Sequence, residues 1–183
     1  MRTRPLTESA TLAAKAVQFL CQNPSSFAMD TADAECVVSY LRWVSYPAGA
    51  PVYREGDDSR TSYMLLVLEG DVSVDTGASG RADRVAISVL GAGALIGEMA
   101  LLDGAARSAN CTALATVQAA GLSHTALEHM AKEHPEVACK LLVYMARNTA
   151  DRLRALSEQL HIYDQLNATL RQEAEQLRAK PGR

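Results

Sequence analysis

The sequence predicts an α+β protein: an antiparallel β-roll or jelly roll with flanking helices and a long C-terminal coiled-coil helix. Three observations predict it. Two helical patterns come first, short Val-, Tyr-, Leu- and Thr-rich segments punctuated by glycine turns follow from Trp43, and an unbroken helical pattern with heptad spacing closes the chain. The expected parts are an N-terminal helical arm over 1–30, the roll over 31–134, and a long helix over 135–183 that pairs as a dimeric coiled coil.

Residues Thr7 to Gln22 form an amphipathic pattern, with Leu12, Ala16, Phe19 and Leu20 on one side and Asn23-Pro24-Ser25-Ser26 as the stop. Asp30 or Thr31 can cap a second helix carrying Ala34, Val37, Val38 and Leu41 at helical spacing. The expected strands are then Trp43–Tyr46, Pro51–Arg54, Tyr63–Leu68, Val72–Asp75, Val85–Val89, Ser108–Ala113 and Val117–Leu122. Turn chemistry separates several of them, at Pro47-Ala48-Gly49, Glu55-Gly56-Asp57-Asp58, Glu69-Gly70-Asp71 and Gly77-Ala78-Ser79-Gly80. Their spacing suits a small closed or stacked antiparallel architecture, which limits exposed strand edges.

Helical pattern resumes at Thr125 with Leu127, Met130 and Ala131 and stops near His134. Pro135 can open the last helix at its first turn, and nothing breaks that helix before Pro181. At ~1.5 Å per residue it is about 65 Å long, too long to pack wholly on one small roll. Leu142, Ala146, Thr149, Leu153, Leu156, Leu160, Tyr163, Asn167, Leu170, Ala174 and Leu177 alternate steps of four and three, the seam of a two-stranded coiled coil. Asn167 falls at an a position, where a paired asparagine selects register and two strands; Glu173 and Arg178 take complementary g and e' positions in a parallel pair. A homodimer through this helix is the expectation.

Composition bounds the function. The chain has 183 residues, enough for one core-bearing domain and an extension; 48% are hydrophobic and 21% charged, as in a soluble globular protein. No apolar run approaches the roughly 20 residues that span a bilayer. The start lacks the apolar core of a secretory signal, and Cys21, Cys36, Cys111 and Cys139 have neither Cys-x-x-Cys spacing nor the density of a disulfide framework. They are expected to be reduced, mostly buried thiols of a cytoplasmic protein. A net charge of −3 supplies no global basic field for nucleic acid. His124, His129, His134 and His161 make no metal-ligand spacing with the acids, and neither a nucleophile elbow nor a Walker-type loop is present, so the chain reads as non-enzymatic with no metal or prosthetic group.

The candidate site is Ile96-Gly97-Glu98-Met99-Ala100-Leu101-Leu102-Asp103-Gly104-Ala105-Ala106-Arg107-Ser108-Ala109. A Gly-Glu pair opening a short helical turn offers backbone N–H groups and a carboxylate, and an arginine nine residues later supplies a fork for an anionic phosphate. The order of Pro47-x-Gly49, Tyr53-Arg54-Glu55-Gly56-Asp57, Leu68-Glu69-Gly70-Asp71-Val72, Gly93 and this cassette resembles the cyclic nucleotide-binding roll, from about Thr31 to Leu153.

That resemblance implies a cyclic nucleotide ligand, cAMP or cGMP. Under it Arg107 pairs with the cyclic phosphate, Glu98 accepts from the ribose 2'-hydroxyl, and Gly97, Met99 and Ala100 contribute backbone contacts. Ser108 reaches a phosphate oxygen or an edge of the base. Threonine at that place in the family goes with guanine preference, so Ser108 leans toward cAMP. A lid is implied on the long helix near Arg147, Asn148, Arg152 and Leu153, with Arg152 the candidate against the purine; catabolite-activator-like regulators carry hydroxyl residues at the places of Arg152 and Leu153, which leaves the base open. Those regulators also carry a helix-turn-helix after the dimer helix, whereas only heptads follow Leu160 here, so direct DNA binding is not expected. A protein effector would read the helix. The alternatives are a ligand-independent dimeric scaffold and a regulatory subunit that senses a cyclic dinucleotide.

Overall fold

The computed structural model describes residues 3–22, 27–58, 63–76 and 85–179, and of 85–87 and 173–179 the backbone alone. The expected helix stop at 23–26, the turn at 77–80, Pro181 and the side chains of Glu173, Ala174, Leu177 and Arg178 lie outside the described residues.

Nine strands form two antiparallel sheets among the described residues. The first runs β1 (Arg4–Pro5), β2 (Arg42–Tyr46), β9 (Val117–Ser123), β4 (Tyr63–Glu69), β7 (Leu95–Ile96); the second runs β3 (Pro51–Tyr53), β8 (Asn110–Ala113), β5 (Val72–Thr76), β6 (Val85–Leu90). The helices are α1 (Ala10–Cys21), α2 (Thr31–Tyr40), α3 (Glu98–Asp103), α4 (His124–Glu133) and α5 (Pro135–Ala179). Contacts divide the chain into two units, Met1–Met145 and Ala146–Arg183. The first unit thus includes the opening turns of α5 as well as the N-terminal helices.

Strand β4 shows how the first unit is built. Its five central residues are all buried, and their period-two alternation serves two cores: Met64, Leu66 and Leu68 pack with the helices, while Leu65 and Val67 pack inside the roll. Strand β9 alternates the same way, with Ala120 and Leu122 toward the helices and Val117 and Ala119 toward the interior. Helices α1 (Leu12, Ala16, Leu20), α2 (Ala34, Val37, Val38), α4 (Met130) and the start of α5 (Ala138, Leu141, Tyr144, Met145) complete the first core. After β4 the chain turns at Gly70, where φ is +80° and a Cβ would lie 2.5 Å from the Thr116 carbonyl oxygen, so no side chain fits.

The strands lie where the sequence places them, with two additions and one correction. Strands β1 and β7 are two residues each, too short to carry an alternation signal. Strand β8 begins at Asn110, not Ser108, because the main chain of Arg107 is held by the preceding Gly-Asp turn and Ser108 falls in a bend. The expectation of mostly buried thiols is corrected as well, since one of the four is buried. Cys111 is buried, and burial pushes the half-buried Cys21 and Cys36 thiols up, but Cys139 is exposed because it falls outside the Ala138, Leu141, Met145 stripe of α5. Among the described residues no helix is long and apolar enough to cross a membrane, and no group of three His, Cys, Asp or Glu side chains is placed to hold a metal ion.

Helix α2 opens with a reciprocal capping box: the Asp33 N–H donates to Asp30 Oδ1 at 2.9 Å, and the Asp30 N–H donates to Asp33 Oδ2 at 3.1 Å. The Asp33 carboxylate also accepts from the Lys140 ammonium, tying α2 to the start of α5. Partial desolvation pulls the Asp33 carboxyl up, but the Lys140 and Asp30 hydrogen bonds outweigh it and hold it below its ordinary value. A carboxyl depressed on folding stabilises the fold above its unfolded pKa of about 3.9, and that contribution fades as pH falls through the folded value. Asp33→Ala is expected to lower the unfolding free energy by about 1 kcal/mol at pH 7. Urea unfolding at pH 7 and again below pH 3 checks this, with the gap between variant and parent closing in acid.

Candidate functional site

The site is built on the wall of the roll where β7 runs into α3. Gly97 occupies the N-cap of α3 at φ +77°, a conformation that costs an L-residue about 1–2 kcal/mol, and it turns the chain so that Glu98 points inward at 2% exposure. Charged side chains are rarely buried this deeply without partners. Arg107 is 4% exposed and returns to the same place from the next segment.

The turn after β3 sets the arginine's backbone. Gly56 N–H donates to the Arg107 carbonyl at 2.8 Å, and the Arg107 N–H donates to the Asp57 carbonyl at 3.1 Å. The Glu55-Gly56-Asp57 turn is therefore the mount of the arginine as well as a strand connection. From it the guanidinium reaches across the wall: Nη1 donates to the Gly97 carbonyl at 2.9 Å, and Nη2 donates to the Tyr63 carbonyl at 2.7 Å. The Gly97 carbonyl also accepts from Leu101 N–H at 3.3 Å, so the arginine and the first turn of α3 share one acceptor.

Two tyrosines flank the cation. The guanidinium carbon lies 3.8 Å from the centroid of the Tyr53 ring and 5.1 Å from that of Tyr63, and the two rings are 5.4 Å apart at 47°. Such cation–π contacts contribute about 0.5–2 kcal/mol each, most when desolvated. Burial raises the Tyr53 phenol well above its ordinary value, although Arg107 pulls the other way, so the hydroxyl keeps its proton at neutral pH.

The structure thus brings Gly97, Glu98 and Arg107 together. Ala100 is buried, Met99 is exposed at 49%, and Ser108 is exposed in the bend after Arg107. Arg152 lies on α5 in the second unit, Ala146–Arg183. Tyr53 and Tyr63 were not expected as site residues. Strict alternation would put Tyr53 on the face opposite Val52, yet both are buried, because β3 pairs Pro51 with Thr112 and Tyr53 with Cys111, an irregularity that places one extra residue on β3. The available signal was compositional: the chain has six Tyr against two Phe and one Trp, and two of those tyrosines bracket one Gly-Asp turn.

Residues 43–134 match the cyclic nucleotide-binding domain family. The cyclic AMP receptor protein of Thermus thermophilus is 31% identical over 115 residues, 63% of this chain and 52% of that protein. A cyclic nucleotide-gated potassium channel of Mesorhizobium japonicum is 36% identical over 102 residues, 56% of this chain and 26% of the channel. The chain therefore spans about half of the first of these relatives and a quarter of the second. Among solved structures, a cyclic nucleotide-binding domain from Methylobacillus flagellatus superposes with a TM-score of 0.73 at 27% identity, covering 79% of this chain and 80% of that one.

A Cβ on Gly97 would lie 2.3 Å from Arg107 Nη1 and 2.9 Å from the Tyr53 phenol oxygen. Gly97→Ala is expected to reduce the unfolding free energy by about 2 kcal/mol or more, the left-handed strain plus the displaced arginine. Denaturant unfolding of the variant against the parent measures it.

Proposed function

The chain belongs to the cyclic nucleotide-binding domain family, and we infer from this that it is a non-enzymatic cytoplasmic sensor that holds a cyclic purine mononucleotide in the roll and passes occupancy to its C-terminal helix. The observation that carries the reading is one carboxylate and one guanidinium buried in a single cassette. The carboxylate directly follows the glycine whose carbonyl the guanidinium holds. A cyclic phosphate carries a single negative charge that is expensive to desolvate without a cation and several donors, and Arg107 supplies both. Glu98 is acceptor-only when ionised, which suits a ribose 2'-hydroxyl. Gly97, Met99 and Ala100 offer main-chain contacts, and Ser108, exposed beside Arg107, stands where threonine goes with guanine preference in the family, which leans the reading toward cAMP. Arg152 is the candidate for the base.

A second copy of this chain is the proposed partner of α5. The helix carries two separate stripes: Ala138, Leu141 and Met145 are in the core of the first unit, while the seam residues Leu153, Leu160, Tyr163 and Leu170 are each more than half exposed. Apolar residues repeating in heptads with Asn167 at an a position suit a two-stranded coil. A protein effector would then read the paired helices.

Isothermal titration with cAMP, cGMP and cyclic dinucleotides tests the ligand. Binding of cAMP more tightly than cGMP is expected, with Arg107→Ala at least about thirtyfold weaker, as when one partner of a buried charge pair is removed. Arg107→Lys, which keeps the charge without the fork, falls between. Silence toward every cyclic nucleotide would leave the scaffold reading, and heat from cyclic dinucleotides alone would favour the regulatory-subunit reading.

Sedimentation equilibrium at micromolar concentration is expected to give a dimer. Leu160→Lys at the seam should return it to monomer while leaving the melting of the roll unchanged; a monomeric parent would defeat the assignment.

A further inference from the structure

The Tyr53 side chain is 5% exposed, and its hydroxyl is fully buried with no hydrogen-bond partner among the described residues. A buried phenol left unpaired is unfavourable, whereas phenylalanine would fill the same space and stack on Arg107 equally well. Packing alone therefore does not account for the oxygen.

The place of that oxygen is specific. It lies 2.9 Å, and Arg107 Nη1 lies 2.3 Å, from the point where Gly97 would carry a Cβ. The two donors are thus at most about 5 Å apart, a gap that one oxygen at ordinary hydrogen-bond length from each can bridge. The missing side chain at Gly97 is what lets the guanidinium and the phenol come this close to its main chain and so to each other. Burial keeps the phenol protonated, so it is a donor, and Arg107 has donors only, so both groups call for the same kind of partner, an anionic oxygen.

We propose that Tyr53 is a further ligand-binding and specificity-determining residue, its hydroxyl donating to one non-bridging oxygen of the cyclic phosphate that Arg107 holds. The inference rests on the cyclic-nucleotide reading above. It gives the pocket a fixed neutral donor on β3 beside the charged fork, aimed at one face of the phosphate. Sequence spacing gave no hint of it, because the irregularity in β3 is what turns Tyr53 inward.

Tyr53→Phe removes only the oxygen. The variant should melt at the parent's temperature or above it, bind cAMP about tenfold more weakly, and lose most of the parent's preference between the two phosphorothioate diastereomers of cAMP, in which sulfur replaces one or the other non-bridging oxygen. Calorimetric titration of parent and variant with cAMP and both diastereomers, alongside thermal melts, reads all three. Unchanged affinity and an unchanged diastereomer ratio would overturn the role of Tyr53 and leave the cyclic-nucleotide reading intact. A uniform loss of affinity with the ratio preserved would also overturn it, as the mark of a merely structural residue. A parent that binds none of the three ligands would overturn the reading and the inference together.

Discussion

The Arg107 guanidinium is the constraint on which the site depends. A buried cation loses several kcal/mol of hydration after relaxation, and it persists only where donors and charge are met from several directions. Here the roll meets it with the Gly97 carbonyl, the Tyr63 carbonyl and the faces of two tyrosines. These come from β3, from the start of β4 and from the junction of β7 with α3, so one side chain ties three separate parts of the wall. The shared use of the Gly97 carbonyl by Arg107 and Leu101 N–H makes the first turn of α3 part of the same arrangement.

Much of the frame holding that arginine follows from ordinary patterning. The apolar run Met64-Leu65-Leu66-Val67-Leu68 is continuous because β4 is buried on both faces, with helices on one side and the second sheet on the other. Glycine turns and the Asp30 cap are local signals with local causes, and among the described residues the chain turns at Gly49, Gly56 and Gly70 and caps α2 at Asp30. The cassette was legible too, since a Gly-Glu pair and a returning arginine within an apolar stretch is a chemical pattern, not a packing one. The relation between Glu55-Gly56-Asp57 and Arg107 was not, because it joins residues about fifty positions apart through main-chain hydrogen bonds that no side-chain type announces.

Tyr53 shows most plainly where sequence reading stops. A period of two assigns each residue of a strand to a face, and a single extra residue resets the count without leaving a mark in the sequence. The pairing of Tyr53 with Cys111 next to Pro51 with Thr112 is visible only in the folded register. The same holds for β1 and β7, whose two residues each owe their extended form to the neighbouring strands they pair with and not to their own pattern. Propensity sums over a window that such short elements do not fill.

Helix α5 joins the two kinds of information. By helical spacing the buried stripe of Leu141 and Met145 falls one residue, about 100°, from Leu142 and Ala146, where the heptad pattern begins. The first stripe is held by the roll's own helices, with Lys140 on Asp33 adding an ion pair to α2 and Tyr40 donating to Glu133 at the end of α4. That hydrogen bond holds the Tyr40 phenol up at about 12, so it remains a donor throughout the physiological range. The start of α5 is thus anchored by apolar burial in the core that it shares with the N-terminal helices, α4 and Leu101 of the cassette, and to α2 by charge. A ligand can shift such an anchored element only by binding its alternative packing more tightly than the present one. Leu141 and Met145 are fully buried there, and each such side chain contributes about 1.5–3 kcal/mol. Charge-assisted hydrogen bonds contribute comparable amounts, so a few such bonds are of the right size to offset packing of this kind.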